Sequence, residues 1–156
     1  MASVYEDLID ELREKLKNKH IDFVTIVKLI NRQAYDEIIE LVRDETIFTL
    51  ITKIITERER IGNAMEKKLN DLLSLNEILI IFGEQPQPSK TQALKVLKAK
   101  VFINIYDLEA KKYERRTTKQ KLIAQLRKHP EKRYLLQNAK KHIALKSLLT
   151  SYRSKA

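Results

Sequence analysis

Turn-forming residues are unusually rare in this chain, and their rarity is the strongest constraint on its fold. Only two of the 156 residues are glycine and three are proline. A fold rich in β-strands needs many tight turns, which usually require Gly, Pro, Asn or Asp. Apolar residues make up 43% of the chain and aromatic residues 6%, so a core built mainly from Leu and Ile can form. We therefore predict an all-α multi-helix bundle. Two helical lobes joined by a Pro-containing linker are the alternative arrangement.

The N-terminal segment carries clear signals for short helices. Ser3 and Glu6 have the spacing of a capping box, and the apolar residues that follow recur on one helical face. Acidic residues come early in this segment and lysines late, as the helix dipole favours. We predict a first helix from Ser3, a second over residues 22–30 and a third that begins between residues 31 and 34.

Residues 45–82 show apolar positions at alternating spacings of four and three, a heptad-like pattern. We predict a long helix packed in a hairpin, kinked or broken near Gly62, in preference to a dimeric coiled coil. A second break is expected at Ser74, which opens another capping-box pattern. The apolar run over residues 78–82 is expected to be buried, either internally or in an interface.

The clearest linker signal is the segment of residues 84–89, which contains two prolines and follows Gly83. Proline disfavours helix in the residue before it, and glycine is a common helix terminator. We predict three parts: an acidic helical docking half over residues 1–83, a linker over 84–89 and a basic helical half over 90–156.

The basic half is also expected to be helical. A helix over residues 90–116 is favoured, although residues 101–106 are β-branched and aromatic enough for a strand. Thr117 or Thr118 is expected to cap the next helix, and Pro130 to start another. A last helix is expected to carry apolar residues from Leu135 onward.

Charge is divided unequally along the chain, although its formal total is +10. Residues 1–83 hold 12 Lys/Arg and 16 Asp/Glu residues, a formal charge of −4. Residues 84–156 hold 19 Lys/Arg and 5 Asp/Glu residues, a formal charge of +14. Such an asymmetry suggests that the two halves have different partners.

The clustered cations of the basic half predict contact with nucleic acid. Cations placed near phosphates release condensed counterions, which drives binding that does not depend on base sequence. A solvated helix face, or a surface that meets acidic protein, is the simpler interpretation of the same residues. The residues expected to contact phosphate are Lys111, Lys112, Arg115, Arg116, Lys119, Arg127, Lys128, Lys132, Arg133, Lys140 and Lys141.

Tyrosines among these cations are a second candidate feature, since tyrosine rings can stack on unpaired bases. Tyr106 and Tyr113 are seven residues apart and share a helical face with Phe102. We therefore expect both to belong to the core rather than to a stacking surface.

No motif for catalysis is present. The chain has no cysteine, no glycine-rich phosphate loop and no pair of histidines at metal-ligand spacing. We expect a non-enzymatic intracellular, cytoplasmic protein with no catalytic residue, cofactor, metal or membrane segment. The favoured function is a nucleic-acid-binding accessory subunit of a replication, transcription or RNA-guided complex, bound to a protein partner through its N-terminal helices. The alternative is an assembly or inhibitor subunit whose basic half binds an acidic protein surface.

Overall fold

The computed structural model describes residues 2–135 and 142–152, and within them it is all-α, as predicted. Strands are absent from these residues, which contain one isolated β-bridge, between Phe102 and Thr117. The α-helices are α1 Val4–Asn18, α2 Phe23–Asn31, α3 Tyr35–Val42, α4 Glu45–Leu69, α5 Leu72–Ile81, α6 Lys90–Lys100, α7 Ile105–Glu109, α8 Lys119–Lys128 and α9 Ile143–Ser151. Two short 3-10 helices cover Tyr113–Arg115 and Pro130–Lys132.

The chain forms two compact units, and their boundary lies inside α4. The first unit contains residues 1–59 and 129–131, and the second contains residues 60–128 and 132–156. The first holds 9 Lys/Arg and 14 Asp/Glu residues, a formal charge of −5. The second holds 22 Lys/Arg and 7 Asp/Glu residues, a formal charge of +15. Residues 84–89 lie within the second unit. The boundary between the compact units, at residues 59 and 60, therefore differs from the boundary at residue 83 that the charge pattern suggests.

Helix caps order the first unit as its sequence predicts. The Ser3 hydroxyl accepts from the Glu6 backbone N–H at 3.1 Å and so begins α1. Asp22 caps α2 in the same way, accepting from the Thr25 N–H at 2.9 Å. α1 packs on α2 and α2 on α3. The largest fully buried side chains of this unit are those of Leu12, Leu16, Ile26, Ile47 and Ile54.

Arg58 of α4 is buried in the first unit, where hydrogen bonds compensate its charge. Its Nε donates to the Tyr5 hydroxyl at 3.2 Å, and its Nη1 donates to Oδ1 of Asn31 at 2.8 Å. The Tyr5 hydroxyl donates to the Glu131 carbonyl, and Nδ2 of Asn31 donates to the Pro130 carbonyl at 3.1 Å. Burial of polar groups is costly without such partners. The network therefore fixes a late segment of the chain to the helices of the first unit.

The helix break predicted near Gly62 is wrong, because α4 runs without interruption to Leu69. Gly62 is required for a close approach instead. A Cβ atom there would lie 1.9 Å from the Tyr134 hydroxyl oxygen and 2.6 Å from its Cζ. The Tyr134 ring thus occupies the space that any other side chain would need.

The actual break follows Leu69, and the start predicted at Ser74 is three residues late. Asp71 is the N-cap of α5, since its carboxylate accepts from the Ser74 N–H at 3.1 Å and the Ser74 hydroxyl at 2.7 Å. Aspartate is among the preferred N-cap residues. Ser74 therefore supports the cap from inside the helix rather than providing it.

Gly83 ends α5, as predicted, in the left-handed conformation with a φ of 80°. The turn that follows is held in place by Asn76 of α5, whose side chain accepts from the Gln87 N–H at 2.8 Å and donates to the Gln87 carbonyl at 3.0 Å. Ser89 then caps α6, which packs on α5. The proline-containing segment is therefore a fixed connection inside the second unit.

The single helix predicted over residues 90–116 is wrong beyond Lys100. Val101 is extended, Phe102 makes the isolated bridge to Thr117, and Asn104 caps the short α7. The β-branched and aromatic residues at this point favour extended backbone over helix. The strand alternative is limited to that one bridge.

The C-terminal helices agree in part with prediction. Thr118 caps α8, with its hydroxyl accepting from the Lys121 N–H at 3.2 Å. Pro130 begins a 3-10 turn, and Leu135 is not helical, whereas Leu136 lies outside the described residues. α9 begins at Ile143, eight residues after Leu135, which the predicted helix was to include.

Candidate nucleic-acid interface

Nine of the eleven residues expected to contact phosphate are described, and all nine lie in the second unit. Lys140 and Lys141 lie outside the described residues. Seven of the nine fall into two groups that differ in what surrounds the charged side chain. Three arginines donate hydrogen bonds to carboxylate or backbone carbonyl groups of the protein. We call them the anchored arginines: Arg115, Arg116 and Arg133.

Arg116 joins three parts of the second unit. Its Nη1 donates to the Phe82 carbonyl at 2.8 Å, and its Nη2 donates to the Lys100 carbonyl at 2.6 Å. The guanidinium also lies 5.1 Å from the centre of the Phe82 ring, within cation–π range. These carbonyls lie at the C-terminal ends of α5 and α6, so Arg116 has a structural role that uses two of its five N–H donors.

Arg115 pairs with the buried carboxylate of Asp107, at 2.9 Å. Asp107 is only 5% exposed and also accepts from Nδ2 of Asn104 at 2.7 Å. A buried carboxylate needs a cation or donors near it. Arg115 thus supplies charge that the fold itself requires.

Arg133 closes the C-terminal end of α8. Its Nε donates to the Leu126 carbonyl, and its Nη2 donates to the Arg127 carbonyl at 3.2 Å. Carbonyls in the last turn of a helix lack partners within the helix, and a cation there also interacts favourably with the dipole. The Arg133 side chain therefore stabilises the C-terminal end of α8, the helix that precedes it in sequence.

The second group is solvent-exposed and includes one residue that the sequence prediction omitted. We call these the exposed cations: Lys111, Lys119, Lys121, Arg127 and Lys128. Lys121 was not among the expected contacts, yet it lies on the same exposed face of α8 as Arg127 and Lys128. Helical spacing could have identified it, because residues 121, 124 and 128 recur every three or four positions. The remaining predicted residues, Lys112 and Lys132, are half-exposed.

The exposed face of α8 combines cations with small or neutral residues. Gln120 and Ala124 are its uncharged members, and Leu122 is the fully buried residue opposite. No acidic residue occurs in this helix, whose sequence is KQKLIAQLRK. The face is therefore positive along its length, from Lys121 to Lys128.

The first turn of α8 is charged against its own dipole. The N-terminal end of a helix carries partial positive charge and favours acidic residues. α8 has none there and has Lys119 and Lys121 instead, whereas α1 has Glu6 and Asp7 at the same place. α6, which begins with Lys90 and also lacks an acid in its first turn, has the same arrangement, so the first turn of α8 does not by itself identify a ligand.

Few acidic residues occur in the stretch of sequence that carries these cations. Between residues 111 and 133 there are two, Glu114 and Glu131. Glu131 belongs to the first unit, where it is buried and lies 3.8 Å from Arg13 and 3.2 Å from Nδ1 of His129. Only Glu114 is an exposed acid on this stretch.

Three of the tyrosines serve the core or its edge. Tyr106 is buried, as predicted, and its hydroxyl donates to the Arg133 carbonyl at 3.0 Å. Tyr113 is half-buried, with its ring 5.5 Å from that of Phe82 in an edge-on contact. Burial, with a further contribution from Glu77, raises the pKa of Tyr113. Neither ring is an open stacking surface.

Tyr152 is buried as well, and burial raises its pKa strongly above the ordinary value. Its hydroxyl donates to the Val101 carbonyl at 3.2 Å. Together with Tyr134 it lines a cleft of about 350 Å³ whose rim carries Arg127, Lys132 and Arg133.

Neither a search for other kinds of site nor a comparison with known proteins identifies a further candidate site. Across residues 2–135 and 142–152, no group of three metal-ligating side chains could hold an ion. In the same described ranges, no helix has the length and apolar character needed to cross a bilayer. No protein-family model matches the sequence, and searches of curated proteins and solved structures also found no match.

Proposed function

We propose that this protein is a non-catalytic nucleic-acid-binding accessory subunit that holds the phosphate backbone with α8. The observation that carries the proposal is the exposed face of α8, which presents Lys121, Arg127 and Lys128 to solvent on a helix that contains no acidic residue. A surplus of +15 in one unit requires counter-charge, and nucleic acid is an abundant polyanion in cells.

The size of the face suits a phosphate backbone. Lys121 and Lys128 are seven residues apart, which corresponds to a rise of about 10 Å along the helix. A duplex segment of that length carries about six phosphates. Ala124 between them is small, so a backbone could approach α8 closely. The contact would be electrostatic and independent of base sequence.

A protein partner is the second part of the proposal. Three large apolar side chains of α5 are exposed: Leu73 at 75%, Ile80 at 58% and Ile81 at 51%. The 78–82 run is predicted to be buried either internally or in an interface, and within the chain itself Ile78, Leu79 and Phe82 are buried. Exposed apolar patches often mark interaction surfaces. We propose that a partner subunit covers this face of α5.

The test is fluorescence anisotropy of the full chain with labelled single-stranded DNA, duplex DNA and RNA over a salt series. We expect binding at low salt in which log K falls against log salt with a slope of about −4.5 for duplex, as one phosphate contact from each of the five exposed cations would give. No binding to any of the three at about 50 mM salt would overturn the proposal, given that non-specific contacts are strongest there. That result would favour the assembly or inhibitor subunit, whose basic surface meets an acidic protein.

A further inference from the structure

A cleft in the second unit has apolar walls and lies beside the exposed face of α8. Its volume is about 350 Å³, within the range of small-ligand sites. α8 contributes Ile123 and Leu126 to the walls, α9 contributes Leu149, and Ile105 of α7 also lines it. Apolar walls of this kind favour a flat, uncharged group.

The rim of the cleft is positive. Arg127, Lys132 and Arg133 line it, and among the lining residues that the structure describes none is acidic. Arg133 is fixed by its bonds to the end of α8, so its charge stays at the rim. Asn104, the other strongly polar group, is committed to Asp107 and Gln125. The cleft therefore suits a ligand with one apolar part and one anionic part.

We propose that this cleft receives a single unstacked nucleotide from a bound strand, with the base between the apolar walls and a phosphate at Arg127 and Lys132. The inference rests on the proposed function and deepens it. Arg127 belongs both to the exposed face of α8 and to the rim. A strand that follows α8 would reach the cleft at this residue.

The inference has a direct consequence for strand preference. In a duplex every base is stacked and paired, and a base must be extruded, at a cost of a few kcal/mol, before it can enter a pocket. A single strand has no such requirement. The protein should therefore bind single-stranded nucleic acid more tightly than duplex of the same length.

The test fills the cleft without changing charge. Leu149→Trp places a large side chain in the cleft, and Thr150→Trp is its matched control, because Thr150 is the next residue of α9 and is exposed. We expect Leu149→Trp to weaken single-strand binding about tenfold and duplex binding less than about twofold, in line with the usual contribution of one base contact. Thr150→Trp should change neither, and thermal melts would confirm that both variants fold.

The outcomes separate the inference from the function on which it rests. The cleft proposal is contradicted if folded Leu149→Trp binds the single strand as well as the wild type does. It is also contradicted if the wild type binds both strand forms with equal affinity. Neither result contradicts the proposed contact between α8 and the phosphate backbone. Failure of the wild type to bind any nucleic acid overturns both.

A measurement on the wild type covers the case in which Leu149→Trp does not fold. Titration with trithymidylate should shift the amide NMR signals of Ile123, Leu149 and Tyr152. Shifts confined to the exposed cations, with these three unmoved, would overturn the inference.

Discussion

The first unit uses its charged side chains for folding, whereas the second leaves a large surplus of cations in solvent. In the first unit, Arg58 is buried among hydrogen-bond partners, and Asp22 and Asp44 cap helices. Lys19 pairs with Asp44 at 2.9 Å. In the second unit, acids are too few to pair the cations, and two of the anchored arginines bond to carbonyls instead.

This difference teaches that a charge count does not identify a binding surface. Arg116 and Arg133 belong to the most basic stretch, yet their donors serve the fold. Substitutions should therefore separate into those that lower stability and those that lower affinity. If every substitution lowered stability and affinity together, the proposed difference between the anchored and the exposed cations would be wrong.

The largest loss of stability is expected from Arg58→Ala. It leaves Oδ1 of Asn31 without its donor at 2.8 Å in a buried site, which should cost about 2–4 kcal/mol. Arg60→Ala is the matched control on the same helix. Arg60 forms an exposed pair with Glu109, which is worth less than about 1 kcal/mol. Urea unfolding measures both, and equal losses would contradict the structural role of Arg58.

A smaller loss is expected from Arg116→Ala in the second unit. Removing its two bonds to carbonyls should lower the free energy of unfolding by about 1–2 kcal/mol. Arg127→Ala should change stability by less than about 0.5 kcal/mol and reduce the salt slope of nucleic-acid binding by about one. If Arg116→Ala weakened binding more than Arg127→Ala at equal stability, the division between anchored and exposed cations would be wrong.

Glu66 tests whether an acid of the second unit also serves folding. Its carboxylate accepts from the Ala144 N–H at 3.0 Å and the Leu145 N–H at 2.8 Å, and so caps α9 from α4. We expect Glu66→Ala to cost about 1 kcal/mol, as loss of a helix cap usually does. Glu59→Ala, an exposed acid of the same helix, should cost less than about 0.5 kcal/mol in the same urea titration. Equal costs would exclude the capping role.

The smallest effect should appear in both units, at acid pH. Hydrogen bonds from Thr25 and Ser74 lower the pKa of Asp22 and Asp71 respectively. A lowered pKa in the folded state adds stability above the unfolded value of about 3.9, and this stability is lost as pH falls through the folded pKa. Melting temperature should thus fall less between about pH 5 and about pH 3 in Asp22→Asn and Asp71→Asn than in the wild type. Identical acid sensitivity in all three proteins would contradict this.

Local signals in the sequence predicted much of the fold. Ser3 and Thr118 cap their helices and Gly83 ends α5, because each of these preferences depends on a few neighbouring residues. The prediction of a helix break at Gly62 is wrong because the glycine is required there by the close approach of Tyr134, which is far away in sequence. Helix was preferred over extended backbone at Phe102 for a related reason, since its bridge partner is Thr117, fifteen residues later.

The candidate site was predicted less completely than the fold. Charge clustering located the basic stretch, but it could not show that Arg116 bonds to the Phe82 and Lys100 carbonyls. Those partners are brought together only by tertiary packing. The cleft between α8 and α9 could not be predicted for the same reason, because its lining residues come from four separate segments of the chain.

Two charge-reversal variants with equal net charge test the central claim most directly. One carries Lys121→Glu, Arg127→Glu and Lys128→Glu on the exposed face of α8. The other carries Lys17→Glu, Lys28→Glu and Lys53→Glu, which are exposed residues of the first unit. Affinity for the same labelled single strand and duplex is measured for each over a salt series.

We expect the α8 variant to bind at least about a hundredfold more weakly at low salt, with a duplex salt slope smaller by about three. The first-unit variant should lose less than about threefold, because its charges lie outside the proposed surface. Equal losses would mean that only net charge matters. Unchanged binding by the folded α8 variant would show that the phosphate-binding surface lies elsewhere.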